Sequence, residues 1–276
     1  MDSAAGRERA RLDEAKAVVH LVATANDAGL FFDFDGVLAP IQVDPETVWP
    51  TAGVVDALIA LVHHVKRVAI VSARPVAFLR PRFESVTGLA LYGHYGLQTM
   101  APDGKEATEP VAVPWIPILS TLADQARIEL PTGVFVEQKA LSVSLHFRAA
   151  PEHADTVRTW ADEQVKATGV AAQRGRMVVE MRPPVQRDKG DVVRQETVDL
   201  ATAWYFGDDI SDQRAFRALL ERESQSDGFM GVRVAVYNEE TGQALAETAD
   251  IVIRPPDAVP AFLDHLVGAL RKTINE

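Results

Sequence analysis

Residues 30–36 read Leu-Phe-Phe-Asp-Phe-Asp-Gly (LFFDFDG), a short apolar run that passes directly into two acids and a glycine. An apolar run of this length, closed by turn chemistry, fits a strand buried on both faces of a sheet. Similar runs recur at residues 68–71 and 89–92, and again at 203–206, 232–236 and 251–253. The first is followed by a loop carrying Pro40, Pro45 and Pro50, and then by a helical pattern over 54–65 that leads into the second. Short runs separated by helices predict the parallel sheet of an α/β domain.

Residues 111–183 follow a different rhythm. Helices are predicted at 114–130 and 152–168, each followed by a pair of strands: 134–137 with 141–148, then 170–173 with 177–182 around Arg174-Gly175-Arg176. Within 141–148 the alternation puts Leu141, Val143, Leu145 and Phe147 on one face and Ser142, Ser144, His146 and Arg148 on the other. The repeated helix–strand–strand order predicts a two-layer α+β module inserted into the α/β domain. Residues 1–110 and 184–276 are then the core domain, and 111–183 the insertion.

A chain of 276 residues with 47% hydrophobic content can bury a normal core. Its net charge of -11 repels phosphate backbones and anionic lipid, so neither nucleic acid nor a membrane is expected as a partner. The absence of cysteine excludes disulfides, thiolate nucleophiles and cysteine-ligated metals. The first 22 residues read as a charged amphipathic helix rather than a signal peptide. No apolar stretch approaches the roughly 20 residues needed to span a bilayer. A cytoplasmic protein is the expectation.

Ligands of open parallel sheets bind beyond the carboxyl ends of the strands. After the first run come Asp33 and Asp35, and after the second Ser72-Ala73-Arg74. After residues 203–206 come Gly207-Asp208-Asp209, with Asp212 three residues on, and Asp188-Lys189-Gly190-Asp191 precedes that unit. In a parallel sheet these groups converge on one edge. Carboxylates so close repel, and a hard divalent cation such as magnesium relieves the repulsion. Lysine, serine and backbone N–H groups complete a cradle for a phosphoryl group. One carboxylate of the Asp-x-Asp pair can attack phosphorus to form an aspartyl phosphate, while the other protonates the leaving oxygen and later activates water. Paired acids also suit glycoside hydrolysis, but that chemistry does not call for the lysine or the further acids.

The set DFDGV, VSAR, DKGD and GDDISD resembles the four signature motifs of haloacid-dehalogenase-like (HAD) phosphatases. More narrowly, DFDGVLAPI, YGHYGL, VEQKALSVSLHFR, VVEMRPP and GDDISDQRAF resemble the trehalose-6-phosphate phosphatases over roughly residues 30–250. The resemblance implies a Rossmann-like parallel-sheet HAD core with the inserted module as a cap that sets substrate specificity. It implies magnesium as cofactor, a sugar phosphate as substrate, and hydrolysis of trehalose 6-phosphate to trehalose and phosphate, a step of trehalose biosynthesis. It assigns Asp33 as nucleophile and Asp35 as general acid–base. Ser72, with Ala73 beside it, and Lys189 hold the phosphate. Magnesium falls to Asp33, the backbone carbonyl of Asp35, and Asp208, with Asp209 and Asp212 supporting its shell. Glu137, Lys139 and Glu180 match positions that grip the sugar, and His146, Arg148, Arg74 and His94 join the substrate side. This chain departs from the family at Ala73, where glycine is usual, at Tyr95, inserted between His94 and Gly96, and at Gln213, where glutamate is usual.

Several of these residues also have plain structural readings. Asp35-Gly36 is a common turn pair, and Asp208 or Asp209 could cap the helix beginning near Ser211. Glu137 and Lys139 could be a surface ion pair, and Trp49, Trp115, Trp160 and Trp204 suit packing better than ligand stacking. Three other functions fit the same motifs: a phosphatase acting on another phosphorylated sugar or conjugate, a non-catalytic phospho-sugar-binding regulator, and a phosphotransferase whose aspartyl phosphate is intercepted by an alcohol instead of water.

Overall fold

The computed structural model describes residues 12–42, 45–175, 177–237 and 243–272. Most of the predicted N-terminal stretch, and Arg176 in the predicted hairpin turn, lie outside the described residues. The chain divides into two compact units, Met1–Glu106 with Asp188–Glu276, and Ala107–Arg187. The second unit extends four residues beyond the expected 111–183 at each end.

The first unit opens with α1 (Glu14–Ala23), β1 (Ala28–Phe32), α2 (Val54–Leu61), β2 (Arg67–Val71), α3 (Val76–Leu79), β3 (Ala90–Gly93) and β4 (Gln98–Met100), and β5 (Glu106–Thr108) spans the boundary with the second. The second contains α4 (Trp115–Glu129), β6 (Phe135–Lys139), β7 (Ser142–His146), α5 (Ala154–Thr168), β8 (Ala171–Arg174) and β9 (Val178–Arg182). The chain then returns to the first unit through α6 (Lys189–Glu196), β10 (Thr202–Gly207), α7 (Gln213–Gln225), β11 (Met230–Val236), α8 (Gln243–Thr248), β12 (Ile251–Ile253) and α9 (Val259–Lys272).

The large sheet has the order β12-β11-β10-β1-β2-β3-β4-β5. The pairs from β12 through β3 are parallel, and β4 runs antiparallel to β3. β4 and β5 were not expected, because they are short and their residues are polar or half-exposed. The strand predicted to begin at Leu30 lies two residues earlier: β1 ends at Phe32, so Asp33 stands just beyond it. Predicted helix 54–65 gives way at Leu61, where His63 and His64 take tighter i→i+3 bonds to Ala60 and Leu61.

Strand alternation builds a core on each face of this sheet. Leu30, Phe32, Trp204 and Phe206 pack on one side with Leu21, Leu58 and Leu263 of α1, α2 and α9. Phe31, Ala203 and Tyr205 pack on the other with Val192 of α6 and Phe216 of α7. Phe32 and Phe206 stack with ring centroids 4.5 Å apart across the β1–β10 seam. The strand order reverses direction at this seam, and its carboxyl end is where such sheets place a ligand.

In the second unit the sheet order is β6-β7-β9-β8, antiparallel throughout. Val143, Leu145, Val179 and Met181 pack on Leu119 and Leu122 of α4 and on Val157 and Trp160 of α5. The other face carries Glu137, Ser144, Glu180 and Gln173 side by side across the four strands. It is less solvated than the alternation suggests: Ser142 and Ser144, on the central strand β7, are buried. Arg148 does not join this face. β7 ends at His146, and Arg148 lies exposed in the turn that follows.

One polar pair sits inside the first unit's core. The Arg233 guanidinium of β11 donates to both oxygens of Asp250, from Nε at 2.9 Å and Nη2 at 2.8 Å, and both residues are buried. Asp250 also accepts from the Arg233 backbone N–H, and its own N–H donates to the Arg233 carbonyl, so the pair pins the start of β12 to β11. Removing one member strands a buried charge. Asp250→Ala should therefore lower the unfolding free energy by about 3–5 kcal/mol, while the double change Arg233→Met with Asp250→Leu should cost less than Asp250→Ala alone. Denaturant unfolding measures both, and a single-mutant loss below about 1 kcal/mol would contradict this account.

Candidate active site

Asp33 extends β1 by one residue: its N–H donates to the Phe206 carbonyl at 2.9 Å, carrying the ladder past the strand. Alternation sends Phe34 into the core, edge-on to Phe78 and Phe83, so the carboxylates on either side of it point elsewhere. Asp33 is buried. Its Oδ1 accepts the Phe34 N–H at 2.7 Å, and its Oδ2 lies 2.6 Å from Lys189 Nζ. The chain then turns at Gly36, whose φ is +79°. A Cβ there would meet Asp208 Oδ2 at 2.0 Å, so glycine is required both by the turn and by the approach of the second acid.

Ser72 occupies the equivalent place after β2, with its N–H on the Tyr92 carbonyl at 2.9 Å and its side chain buried. Its Oγ accepts the Arg74 N–H at 3.1 Å, which fixes the loop through Ala73. Arg74 grips Asp35 with two parallel bonds of 2.8 Å, and its guanidinium lies 4.3 Å above the Phe78 ring. Both side chains line the cavity, but Arg74, expected on the substrate side, is here the partner of Asp35. Positive φ at His94, Tyr95 and Gly96 folds the next loop back, so that the Tyr95 N–H reaches the Ser72 carbonyl at 2.9 Å. Tyr95 lines the cavity, whereas His94, also expected on the substrate side, is buried and absent from its lining.

Lys189 is the first residue of α6, placed by a capping box in which Asp188 and Asp191 bond each other's backbone N–H. Its ammonium is buried, 2.6 Å from Asp33 and 2.7 Å from Asp212 Oδ1. Asp212 is fully buried and its donors are all accounted for. Oδ1 accepts Lys189 and the Tyr205 hydroxyl at 2.8 Å, and Oδ2 accepts the N–H groups of Asp208 and Asp209 at 2.9 and 3.1 Å. Asp212 therefore orients its neighbours and does not line the cavity. Asp209 combines two of the expected roles: its Oδ1 caps the following turn through Ser211 and Asp212, and the residue lines the cavity.

The cavity, of about 310 Å³, is lined by Asp33, Asp35, Ser72, Ala73, Arg74, Lys189, Asp208 and Asp209. Tyr95, Ile41, Gln42 and Ser211 complete it. Sequence reasoning gave none of these a cavity role, although all four lie inside or beside the quoted motifs. Tyr205, which holds Asp212, was also missed. Its position on the opposite side of β10 from Phe206 was the available signal.

The electrostatics are those of a site short of positive charge. Oxygens of Asp33, Asp208, Asp209 and Asp212 all lie within 4.8 Å of one another. Burial, opposed by Lys189 but reinforced by Asp212 and Asp209, raises the Asp33 pKa to about 8. Burial, then the charges of Asp33, Asp212 and Asp209, raises Asp208 to about 9. For Lys189 burial works against the charge, but Asp212, Asp33 and Asp209 outweigh it and hold the ammonium more basic than usual. One lysine cannot neutralise four carboxylates. An all-oxygen donor set with excess negative charge fits a hard divalent cation, and Asp33, Asp208 and Asp209 face the space it would fill.

In the second unit, Glu137 accepts from His146 Nε2 and lies against Lys139 Nζ, both at 3.1 Å. The His146 hydrogen bond, opposed by burial and aided by Lys139, draws the Glu137 pKa down to about 2, so it is a carboxylate at any ordinary pH. Glu180 shares this face, one strand beyond Ser144. Arg148 forms no ion pair among the described residues.

A sequence model of the family described as Trehalose-phosphatase matches residues 31–248. The trehalose-phosphate phosphatase of Mycobacterium marinum is 34% identical over 252 residues, covering 87% of this chain and 62% of that protein. That of Mycobacterium leprae is 32% identical over 270 residues, covering 91% and 60%. The chain thus spans about three fifths of the length of the curated relatives it matches. A crystal structure of a trehalose-6-phosphate phosphatase related protein superposes with a TM-score of 0.70, covering 89% of this chain and 99% of that one. At 21% identity that likeness speaks to the fold alone, a largely parallel α/β core with an inserted α+β unit. The family match runs from the strand that leads into Asp33 to the end of α8 and takes in every acid of the cavity, so this chain belongs to the trehalose-phosphatase family.

Proposed function

We propose that this chain hydrolyses trehalose 6-phosphate to trehalose and inorganic phosphate, using Asp33 as nucleophile and magnesium as cofactor. The observation that carries the reading is the placement of Asp33. It is a buried carboxylate, fixed by Phe34 N–H and Lys189, beside further acids at the strand-order reversal of the sheet. A purely binding scaffold has no chemical need for that arrangement.

In the first half-reaction an Asp33 oxygen bonds to phosphorus as the bond from phosphorus to the sugar oxygen breaks, and Asp35 gives its proton to that oxygen. Ser72, with the Ala73 backbone, and Lys189 hold the phosphoryl oxygens. In the second half-reaction Asp35 takes a proton from water, which attacks the aspartyl phosphate and releases phosphate, restoring both acids. Bound magnesium would neutralise charge between the phosphoryl oxygens and the carboxylates of Asp33 and Asp208, with the Asp35 carbonyl as a further ligand. Asp209 and Asp212 keep this group in place. Asp35 can meet the ester oxygen only after exchanging Arg74 for it. We assign the phosphoryl chemistry to the first unit and sugar recognition to the second, through Glu137, Lys139 and Glu180 on the helix-free face, with His146 holding Glu137.

Three measurements test this reading. Purified protein with magnesium should release phosphate from trehalose 6-phosphate, and Asp33→Asn should lose on the order of 10³-fold or more in kcat. No release, or wild-type turnover by the variant, sinks the proposal. Asp35→Asn should cost about 10²–10⁴-fold on the sugar ester. It should cost much less on the first, phosphoryl-transfer step with p-nitrophenyl phosphate, whose leaving group needs no proton; equal losses would remove the acid role from Asp35. The third concerns pH. Asp33 and Asp208 titrate higher in the folded metal-free protein than in the unfolded chain, so their ionisation progressively destabilises it as pH rises toward about 8 to 9. Magnesium competes with those protons. Its stabilising shift in Tm should therefore be larger at pH 8.5 than at pH 6, and a shift independent of pH would count against these ligands.

A further inference from the structure

β6 carries one residue that the carboxylate chemistry does not use. Phe135 is 64% exposed, a large apolar side chain at the end of a strand whose next two same-face residues are Glu137 and Lys139. Period-two alternation puts all three on the face away from α4 and α5, while Val136 packs toward the helices. The register sets Phe135 opposite His146, and their rings lie with centroids 5.8 Å apart and planes tilted by 34°. His146 is in turn held by its hydrogen bond to Glu137. The two rings therefore form a short shelf that is positioned before any ligand arrives. It adjoins a row of hydrogen-bonding groups formed by Glu137, Ser144 and Glu180.

A single exposed phenylalanine needs no explanation. An aromatic surface fixed beside paired carboxylates has a specific chemical complement, which is a pyranose ring. Such a ring has an apolar face of C–H groups that lies flat on an aromatic surface, and a rim of hydroxyls that donate to carboxylates. An anion does not fit, because Glu137 is held as a carboxylate and Glu180 stands on the same face. A peptide helix or a second protein would need a broader apolar area than one phenylalanine offers.

We propose that Phe135, backed by His146, is the stacking platform for a glucosyl ring of the substrate, and so a specificity-determining residue of this enzyme. The proposal rests on the sugar-phosphate reading above. Phe135 selects for a sugar with a flat apolar face and takes no part in phosphoryl transfer.

The test compares wild type, Phe135→Ala, Phe135→Trp and Phe135→Leu on trehalose 6-phosphate and on p-nitrophenyl phosphate. Loss of the platform should raise KM for trehalose 6-phosphate about fivefold to tenfold in Phe135→Ala. Its kcat/KM on p-nitrophenyl phosphate and its Tm should stay at the wild-type level. Phe135→Trp should restore KM, whereas Phe135→Leu, apolar but without a flat ring, should remain impaired. A Phe135→Ala KM within twofold of wild type overturns the platform, and so does a parallel loss on both esters. Wild-type protein inert toward trehalose 6-phosphate but active on p-nitrophenyl phosphate overturns the sugar reading itself, and the platform with it.

Discussion

The buried ammonium of Lys189 is the interaction on which the rest of the first unit's site depends. A lysine taken out of water carries a desolvation penalty of several kcal/mol unless anionic partners surround it. Asp33 and Asp212 do so at 2.6 and 2.7 Å. Each acid is fixed in turn: Asp33 by the β1–β10 ladder, and Asp212 by Tyr205 and the backbone N–H groups of Asp208 and Asp209. The lysine thus ties β1, α6 and the loop after β10 into one rigid group. Two glycines make that closure possible. A side chain at Gly190 would strike the Arg214 carbonyl, and one at Gly207 would strike Asp212.

The two units treat the same side-chain chemistry in opposite ways. In the first, carboxylates outnumber their one buried cation, and burial drives the Asp33 and Asp208 pKa values up into the range of 8 to 9. That imbalance leaves excess negative charge at the cavity, which suits the proposed cation. In the second, Glu137 lies against a histidine and a lysine, and its pKa falls to about 2. A carboxylate that is always charged and already satisfied is suited to accepting hydroxyl donors rather than to binding a metal or moving protons. This difference supports the proposed division of roles between the two units.

Arg74 shows how a motif residue can acquire a partner that no local pattern reveals. It follows Ser72 in a loop that the strand-end argument places at the site. Its bidentate contact, however, is with Asp35, 39 positions away in sequence and on the neighbouring strand's loop. Arg74 holds Asp35 by both carboxylate oxygens, and the same guanidinium side chain lines the cavity.

By itself the sequence determined the alternating α/β plan, the inserted module, and the four segments that converge on the cavity. All of these rest on local signals: apolar runs of strand length, period-two alternation, and acids directly after strands. Strand ends were legible only to within about two residues, and β4 and β5 were invisible, because short polar strands have no apolar period. Tertiary structure alone decided which acids face the cavity. Asp212 turned inward to serve Lys189 and Tyr205, Asp209 divided between cap and cavity, His94 yielded its place to Tyr95, and Arg148 fell past the end of β7. Those outcomes depend on register and on which donors become buried together. Both are set by contacts between segments far apart in the chain, and a reading of neighbouring residues carries no record of them.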